Sequence, residues 1–267
     1  MMRLGLVVPA MLALMLGGVQ AFATSNAPAS NVPDSLLIDV RGTGSSFQSP
    51  AGIWWPKSIR ENASKTSVKR AGVSQKKNRA NASVVVWFHG GMSSGNCAKG
   101  LVAGADFAEL YPEKIVVSVS ACRENHWVTK GVIDAVDAAL DSVAAKRGAP
   151  VERVSLVGVS DGSLGVLVYS LEGRRAVEER LLLSSFGSFL GGPSELAAPK
   201  KMQVGRFRFL QGGKDRLYPS DQTVPWITEF CKAVQVDCEL RFDPEGEHDW
   251  SYWKGKRMEW IRDAIRK

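Results

Sequence analysis

The sequence is poor in metal-binding residues and in long apolar runs. Among its 267 residues it has only three histidines and four cysteines, and no two cysteines have the C-x-x-C spacing of a zinc site. No segment after residue 23 is long and apolar enough to span a bilayer. Internal repeats and cofactor fingerprints are also lacking. These absences argue against a zinc-binding protein, a membrane-spanning protein, a repeat protein and a cofactor-dependent enzyme.

Residues 1–23 form the longest apolar stretch. They contain one charge, Arg3, and end in small residues, a pattern typical of a cleaved secretory signal peptide; an uncleaved anchor is the alternative. Cleavage would leave 244 residues with net charge +6, enough for one domain, preceded by a flexible leader over 24–35. We therefore expect a secreted or periplasmic monomer.

The four cysteines of an exported chain are expected to form two disulfides. Four cysteines allow three connectivities. Cys97 and Cys122 flank one predicted strand-helix-strand unit, whereas Cys231 and Cys238 bracket the turn from a helix into the last predicted strand. We therefore expect the pairs Cys97–Cys122 and Cys231–Cys238.

Residues 57–80 are predicted to form a mobile basic insertion. From 57 to 79 there are eight basic residues against a single acid, Glu61, and there is no apolar periodicity. The insertion either contacts an anionic surface or polymer, or is a solvated loop. Because no aromatic residues are interleaved with the charges, nucleic-acid binding is not expected.

The remaining chain alternates strands and helices. A hairpin is predicted at 36–41 and 52–55, and the later elements are predicted at 83–88, 98–110, 114–120, 131–147, 154–159, 206–212 and 238–242. This alternation predicts an α/β fold with a mostly parallel sheet and helices on both faces. The stretch from 186 to 205 has room for a short helix and not for a large cap domain.

The sequence Gly158-Val159-Ser160-Asp161-Gly162 connects a buried strand directly to a buried helix. This G-x-S-x-G pattern is typical of a nucleophile elbow, in which glycines allow a turn so tight that the serine is held clear of the sheet. The alternative is a glycine-rich loop with an incidental serine. The strand before and the helix after favour the elbow, so Ser160 is the predicted nucleophile.

An acid and a base follow Ser160 in the order that this architecture requires. Asp215 comes just after the predicted strand 206–212, and His248 comes in the loop after the predicted strand 238–242. A serine hydroxyl is a weak nucleophile until an oriented base takes its proton. The sequence therefore predicts a triad of Ser160, His248 and Asp215.

The chain contains four motifs that are found together in one enzyme family. They are HGG at 89–91, GVSDG at 158–162, GGKDRLYP at 212–219 and GEHDW at 246–250. From Leu36 to the C-terminus the chain resembles serine esterases of the α/β-hydrolase fold, in particular the secreted polyhydroxybutyrate depolymerases, feruloyl esterases and acetylxylan esterases. The resemblance implies one domain over 36–267 with an eight-stranded sheet. It also implies a small-molecule or polymeric ester substrate, with no cofactor and no metal.

The resemblance also implies that the backbone N–H groups of Gly91 and Asp161 form the oxyanion hole, with Met92 as the alternative to Gly91. His89, in the same loop, is expected to pack rather than react. Past the end of another strand, His126 and Trp127 either line the substrate cleft or belong to a structural loop. Trp250 is a further expected substrate contact.

Two other functions are compatible with the same residues. The first is an exported peptidase or amidase acting on an acidic polymer, which would use the same triad. The second is a binding protein whose triad is catalytically inactive. Turnover of amides against esters distinguishes the first from an esterase, and reaction with a fluorophosphonate distinguishes the second.

Overall fold

The computed structural model describes residues 33–41, 46–59, 82–91, 95–123 and 125–265. The predicted signal peptide, leader residues 24–32, residues 60–80 of the basic insertion and Met92 lie outside this part of the chain. The functions assigned to them stay predictions.

Eight strands form a single sheet in the described residues, in the order β1-β2-β4-β3-β5-β6-β7-β8. They are β1 Asp34–Arg41, β2 Ser46–Trp54, β3 Val84–Phe88, β4 Ile115–Val119, β5 Arg153–Val159, β6 Ala176–Leu183, β7 Arg206–Gly212 and β8 Asp237–Asp243. Strand β2 is antiparallel to both β1 and β4, and every other neighbouring pair is parallel. The mostly parallel sheet is the one that the alternation of elements predicted, and its eight strands are the number that the resemblance implied.

The opening hairpin is longer than predicted. Strand β1 begins at Asp34, inside the predicted leader, and β2 begins at Ser46, six residues before the predicted start of the second strand. The register pairs Asp34 with Ile53 and Arg41 with Ser46. The hairpin therefore includes polar residues that show no apolar run in the sequence.

Helices cover both faces of the sheet. They are α1 Lys99–Leu110, α2 Lys130–Arg147, α3 Asp161–Glu172, α4 Pro193–Ala197, α5 Ser220–Ala233, α6 Trp250–Lys256 and α7 Met258–Ala264. One apolar core lies between the sheet and helices α2, α3 and α5, and the other lies between the sheet and helices α1, α6 and α7. No helix in the described ranges has the length and apolarity needed to cross a membrane.

Strand β3 shows how the sequence fixes this layering. All five of its residues are buried, with Val84, Val86 and Phe88 in one core and Val85 and Trp87 in the other. A parallel strand buried on both faces reads as a continuous apolar run, because successive side chains point to opposite sides.

The carboxyl ends of β3, β5, β7 and β8 meet at one edge of the sheet, which is where ligands bind in open α/β sheets. Between β6 and β7 the described chain has only short helical segments, at Gly187–Phe189, Pro193–Ala197 and Lys200–Met202. This edge is therefore not covered by a large insertion there, as predicted.

Candidate active site

Ser160 lies in a strained turn between β5 and α3. Its backbone has φ 56° and ψ −123°, a conformation that is costly for a residue with a side chain. A Cβ added at Gly158 would lie 2.3 Å from the carbonyl oxygen of Gly162, and one added at Gly162 would lie 2.0 Å from that of Phe88. Neither position has room for a side chain because another backbone segment approaches it closely, as in a nucleophile elbow.

A chain of hydrogen bonds joins Ser160, His248 and Asp215. The Ser160 Oγ lies 2.7 Å from His248 Nε2, and His248 Nδ1 lies 2.9 Å and 2.8 Å from the two carboxylate oxygens of Asp215. The carboxylate can only accept, so Nδ1 carries the proton and Nε2 is left to accept the serine proton. The predicted residues are thus brought together with the orientation that nucleophile activation requires.

The Asp215 carboxylate is held by its own loop. It is buried, and its Oδ1 accepts the backbone N–H groups of Leu217 at 3.0 Å and of Tyr218 at 2.8 Å. These bonds leave the carboxylate facing the imidazole in a fixed position. They follow from the turn after β7, where the chain folds back over the aspartate.

The loop that carries His248 is tied to the Asp215 loop and to α6. Gly213 N–H donates to the Asp243 carbonyl, and Lys214 N–H donates to that of Gly246, both at 2.8 Å. The Asp243 carboxylate accepts the hydroxyl of Tyr252 at 2.7 Å and lies 2.8 Å from the Arg257 guanidinium. Burial acts to raise the pKa of Asp243, but these two partners outweigh it and hold the pKa below its usual value.

His89 is a structural residue rather than a second base. It is buried, its Nε2 accepts the backbone N–H of Ala121 at 2.9 Å, and its Nδ1 lies 3.0 Å from the Gly90 carbonyl. A ring with one accepting and one donating nitrogen is a neutral imidazole with both positions used. It links the ends of β3 and β4.

Gly91 and Asp161, predicted to provide the oxyanion hole, flank Ser160. Gly91 has φ 85°, a backbone conformation that favours glycine, and it lines the same cleft as Ser160. Asp161 is the first residue of α3 and is buried. Gly91 thus lies in the loop after β3 and Asp161 at the N-terminus of α3, and their role as the oxyanion hole stays a prediction.

A cleft of about 530 Å³ opens over Ser160 and His248. Its walls are largely apolar and include Trp87, Val102, Ala103, Leu217 and Trp250. Trp250, which the sequence analysis expected to contact substrate, is one of these lining residues, and the contact stays a prediction. Its indole donates to Asp106 at 3.2 Å and its ring stacks on Phe107, which fixes the tryptophan against α1.

Trp127, expected either to line the substrate cleft or to belong to a structural loop, is not among the residues that line the cleft. Its side chain is fully buried, donates to the His89 carbonyl at 2.8 Å and packs edge-on against Phe88. The polar and aromatic cluster after β4 is therefore a structural loop, which was the alternative. His126 is not among the residues that line the cleft.

Both cysteine pairs lie at disulfide distance, in the pairing that the sequence favoured. The Cα atoms are 5.1 Å apart in Cys97–Cys122 and 5.3 Å apart in Cys231–Cys238. The first pair joins the segment before α1 to the end of β4, and the second joins the end of α5 to β8. In the described residues, no group of three or more His, Cys, Asp or Glu side chains is arranged to hold a metal ion.

Sequence reasoning missed the contribution of α1 and of Tyr218. Val102, Ala103 and Asp106 of α1 line the cleft, and the Tyr218 ring packs edge-on against His248 with centroids 4.8 Å apart. The signal for Tyr218 was present, because it lies three residues after Asp215 in the same motif. The α1 residues show only an ordinary helical pattern.

Solved structures with a similar fold were found. FphF, a fluorophosphonate-binding serine hydrolase of Staphylococcus aureus, matches with TM-score 0.57 and 14% identity over 88% of this chain and 100% of that one. A cold-adapted esterase from an Arctic intertidal metagenomic library matches with TM-score 0.55 and 17% identity over 87% of this chain and 94% of that one. The chain has the α/β-hydrolase fold.

The acylaminoacyl peptidase of Pyrococcus horikoshii also matches, with TM-score 0.54 and 10% identity over 87% of this chain, which spans 41% of the peptidase. At such identities the likeness establishes the fold alone. No family model and no curated protein matches the sequence.

Proposed function

We propose that the protein is an exported serine hydrolase that cleaves carboxylic esters through an acyl-enzyme intermediate. The observation that carries the proposal is the hydrogen-bonded chain from Ser160 through His248 to Asp215, placed on a strained elbow at the floor of an open cleft. A strained serine backed by an oriented imidazole is expensive to maintain, and such strain concentrates at sites where it has a use.

The reaction follows from the roles of these groups. His248 Nε2 takes the Ser160 proton as Oγ attacks the ester carbonyl, and Asp215 stabilises the imidazolium that forms. The N–H groups of Gly91 and Asp161 hold the developing oxyanion. His248 then gives its proton to the leaving alcohol, and a water activated by the same imidazole releases the acid. Every proton is carried by a residue of the site or by water.

The largely apolar walls, which also carry the carboxylates of Asp106 and Asp249, disfavour an anionic substituent in the cleft. Trp87, Trp250 and Val102 offer no charge to pair with a substrate, so an anionic group there would lose hydration without compensation. We place the protein in the secreted esterase group that its motifs resemble. Export is supported by the signal-like residues 1–23 and by two cysteine pairs at disulfide distance.

The test compares the rates at which the protein, with its disulfides oxidised, hydrolyses an ester and an amide that differ only in the scissile bond. We expect ester turnover to exceed amide turnover, and Ser160→Ala to lower kcat by on the order of 10^6. Ser142→Ala should leave kcat unchanged, because Ser142 donates to the Ala138 carbonyl within α2 and does not line the cleft.

Three results would count against the proposal. Preferred amide turnover would make the protein a peptidase or amidase. No turnover and no fluorophosphonate adduct would make it a binding protein with an inactive triad. Ser160→Ala within tenfold of wild type would remove the nucleophile from its role.

A further inference from the structure

Three aromatic side chains form a patch next to the triad and outside the cleft. The ring centroids of Phe186, Phe189 and Tyr218 are separated by 5.5 Å, 6.0 Å and 5.8 Å, in edge-on or tilted arrangements. None of the three is among the residues that line the cleft. We call this group the aromatic patch.

The fold positions the patch at the functional edge of the sheet. Phe186 and Phe189 follow β6, and Tyr218 follows β7, so all three lie past the carboxyl ends of neighbouring parallel strands. A Cβ at Gly187 would lie 2.1 Å from the Trp226 ring, so the turn between the two phenylalanines is held against α5. The patch is therefore fixed to two elements of the sheet and to a helix.

Tyr218 connects the patch to the reacting groups. Its ring packs edge-on against the His248 imidazole at 4.8 Å, with an interplanar angle of 82°. Its carbonyl accepts a hydrogen bond from Gln211 at 3.0 Å, and its N–H donates to Asp215 at 2.8 Å. Burial raises the pKa of the Tyr218 phenol, and a side-chain hydrogen bond with Ser160 acts in the opposite direction.

Phe189 leaves the patch open to a ligand. Its side chain is 65% exposed, whereas Phe186 is partly buried beneath it. The exposed Phe189 ring adjoins the half-buried rings of Phe186 and Tyr218, and contiguous exposed apolar groups occur at binding sites more often than isolated ones do. Aromatic rings add an attraction to a further ring, edge-on or offset, beyond what the buried area provides.

An ester bound at Ser160 has two substituents, the acid part and the alcohol part, and we assign one of them to the cleft. The leaving oxygen must reach His248, which protonates it, and Tyr218 is the patch residue in contact with that imidazole. We infer that the aromatic patch of Phe186, Phe189 and Tyr218 is a subsite for a planar aromatic ring in the alcohol part of the substrate. This inference rests on the proposed function.

Paired esters test the inference. One pair carries 2-phenylethyl or 2-cyclohexylethyl on the alcohol side of the same acid, and the other carries phenyl or cyclohexyl on the acid side of the same alcohol. We expect kcat/KM to favour phenyl over cyclohexyl by about two- to tenfold on the alcohol side. Phe189→Leu, which keeps an apolar side chain, should remove that preference.

The matched control is Phe242→Leu. Phe242 is another exposed phenylalanine, on β8, and is not among the residues that line the cleft. This variant should keep the phenyl preference of wild type. A ratio near one on the alcohol side, a preference on the acid side only, or a ratio unchanged by Phe189→Leu would each overturn the inference.

A binding measurement separates this inference from the proposed function. Ligand-observed NMR should show that wild type binds 2-phenylethanol more tightly than 2-cyclohexylethanol. The Phe189→Leu variant should bind the two alcohols with equal affinity. Phenyl-selective binding without ester turnover would leave the subsite standing and refute the esterase. Ester turnover without phenyl selectivity in either assay would refute the subsite and leave the esterase.

Discussion

Adding one methyl group at Gly162 would test how the elbow is built. A Cβ there would lie 2.0 Å from the carbonyl oxygen of Phe88, 2.6 Å from its carbonyl carbon and 2.8 Å from the His89 carbonyl oxygen. Non-bonded carbon contacts are most favourable at about 3.5–4.0 Å. The start of α3 and the end of β3 must therefore separate by more than about 1 Å, and because the contacts are backbone atoms no side-chain rotation relieves them.

Two consequences can be given a magnitude. Overpacking of this kind costs about 1–3 kcal/mol of unfolding free energy, which lowers the Tm of a domain of this size by about 2–12 °C. Ser160 lies two residues before Gly162, and a displacement of about 1 Å at reacting atoms can cost about 100-fold in rate. Gly162→Ala should therefore lower both the unfolding free energy and kcat, by about 1–3 kcal/mol and about 100-fold respectively.

The assay is urea unfolding together with kcat on an ester substrate. Gly255 provides the control, because a Cβ there would have no atom within 4 Å and the residue lies in α6. Gly255→Ala should be as stable as wild type or more stable, by up to about 1 kcal/mol, since alanine favours helix. A Gly162→Ala variant with wild-type stability and wild-type kcat would refute the close-packed elbow.

Further predictions concern the covalent and charged supports of the site. Reduction of Cys97–Cys122, or its replacement by serines, should lower the unfolding free energy by about 3 kcal/mol in the loop-entropy estimate, measured by thermal unfolding with and without reductant. It should also slow turnover because Cys97 lies only six residues after Gly91 in the chain, and full activity and Tm in a verifiably reduced protein would contradict this. The depressed pKa of Asp243 means that its carboxylate stabilises the fold above the unfolded value of about 3.9, and that this stabilisation is lost as pH falls through the lower folded value. Asp243→Asn should therefore reduce stability near neutral pH and weaken its acid dependence, while Asp263→Asn, at an exposed position, should do neither; equal curves for the two variants would argue against the role of Asp243.

Much of the fold was predictable because its signals are local. The apolar run of β3, the glycines around Ser160 and the strand-loop pairs that carry Asp215 and His248 each specify one element and its end. Their meeting at one edge follows from the rule that parallel strands present their carboxyl ends together. The three residues were therefore found before any distance was known.

Strand β6 was not located because its middle is charged. Its sequence AVEERLLL contains Arg180, which is buried and donates to Ser170, Val204 and Lys201 while its guanidinium covers the Phe207 ring. The sequence alone does not distinguish a buried arginine, here one whose three side-chain nitrogens all donate hydrogen bonds, from a surface arginine. Only the tertiary partners show that it belongs inside.

The errors at the cleft have a similar cause. Trp127 follows the end of a strand, where ligand contacts are common, yet its indole N–H donates to the His89 carbonyl. Tyr218 and Phe189 come from loops after different strands, so no single stretch of sequence shows that they adjoin. Which side chains point into a cleft depends on contacts between loops, and these lie beyond a local pattern.

The central claim is that Ser160 is an activated nucleophile, and mass mapping of a fluorophosphonate adduct tests it most directly. The oxidised protein should take up one equivalent of probe, the modified peptide should contain Ser160, and Ser160→Ala should take up none. Absence of an adduct in the folded wild-type protein, or an adduct on another serine that persists in Ser160→Ala, would contradict the account.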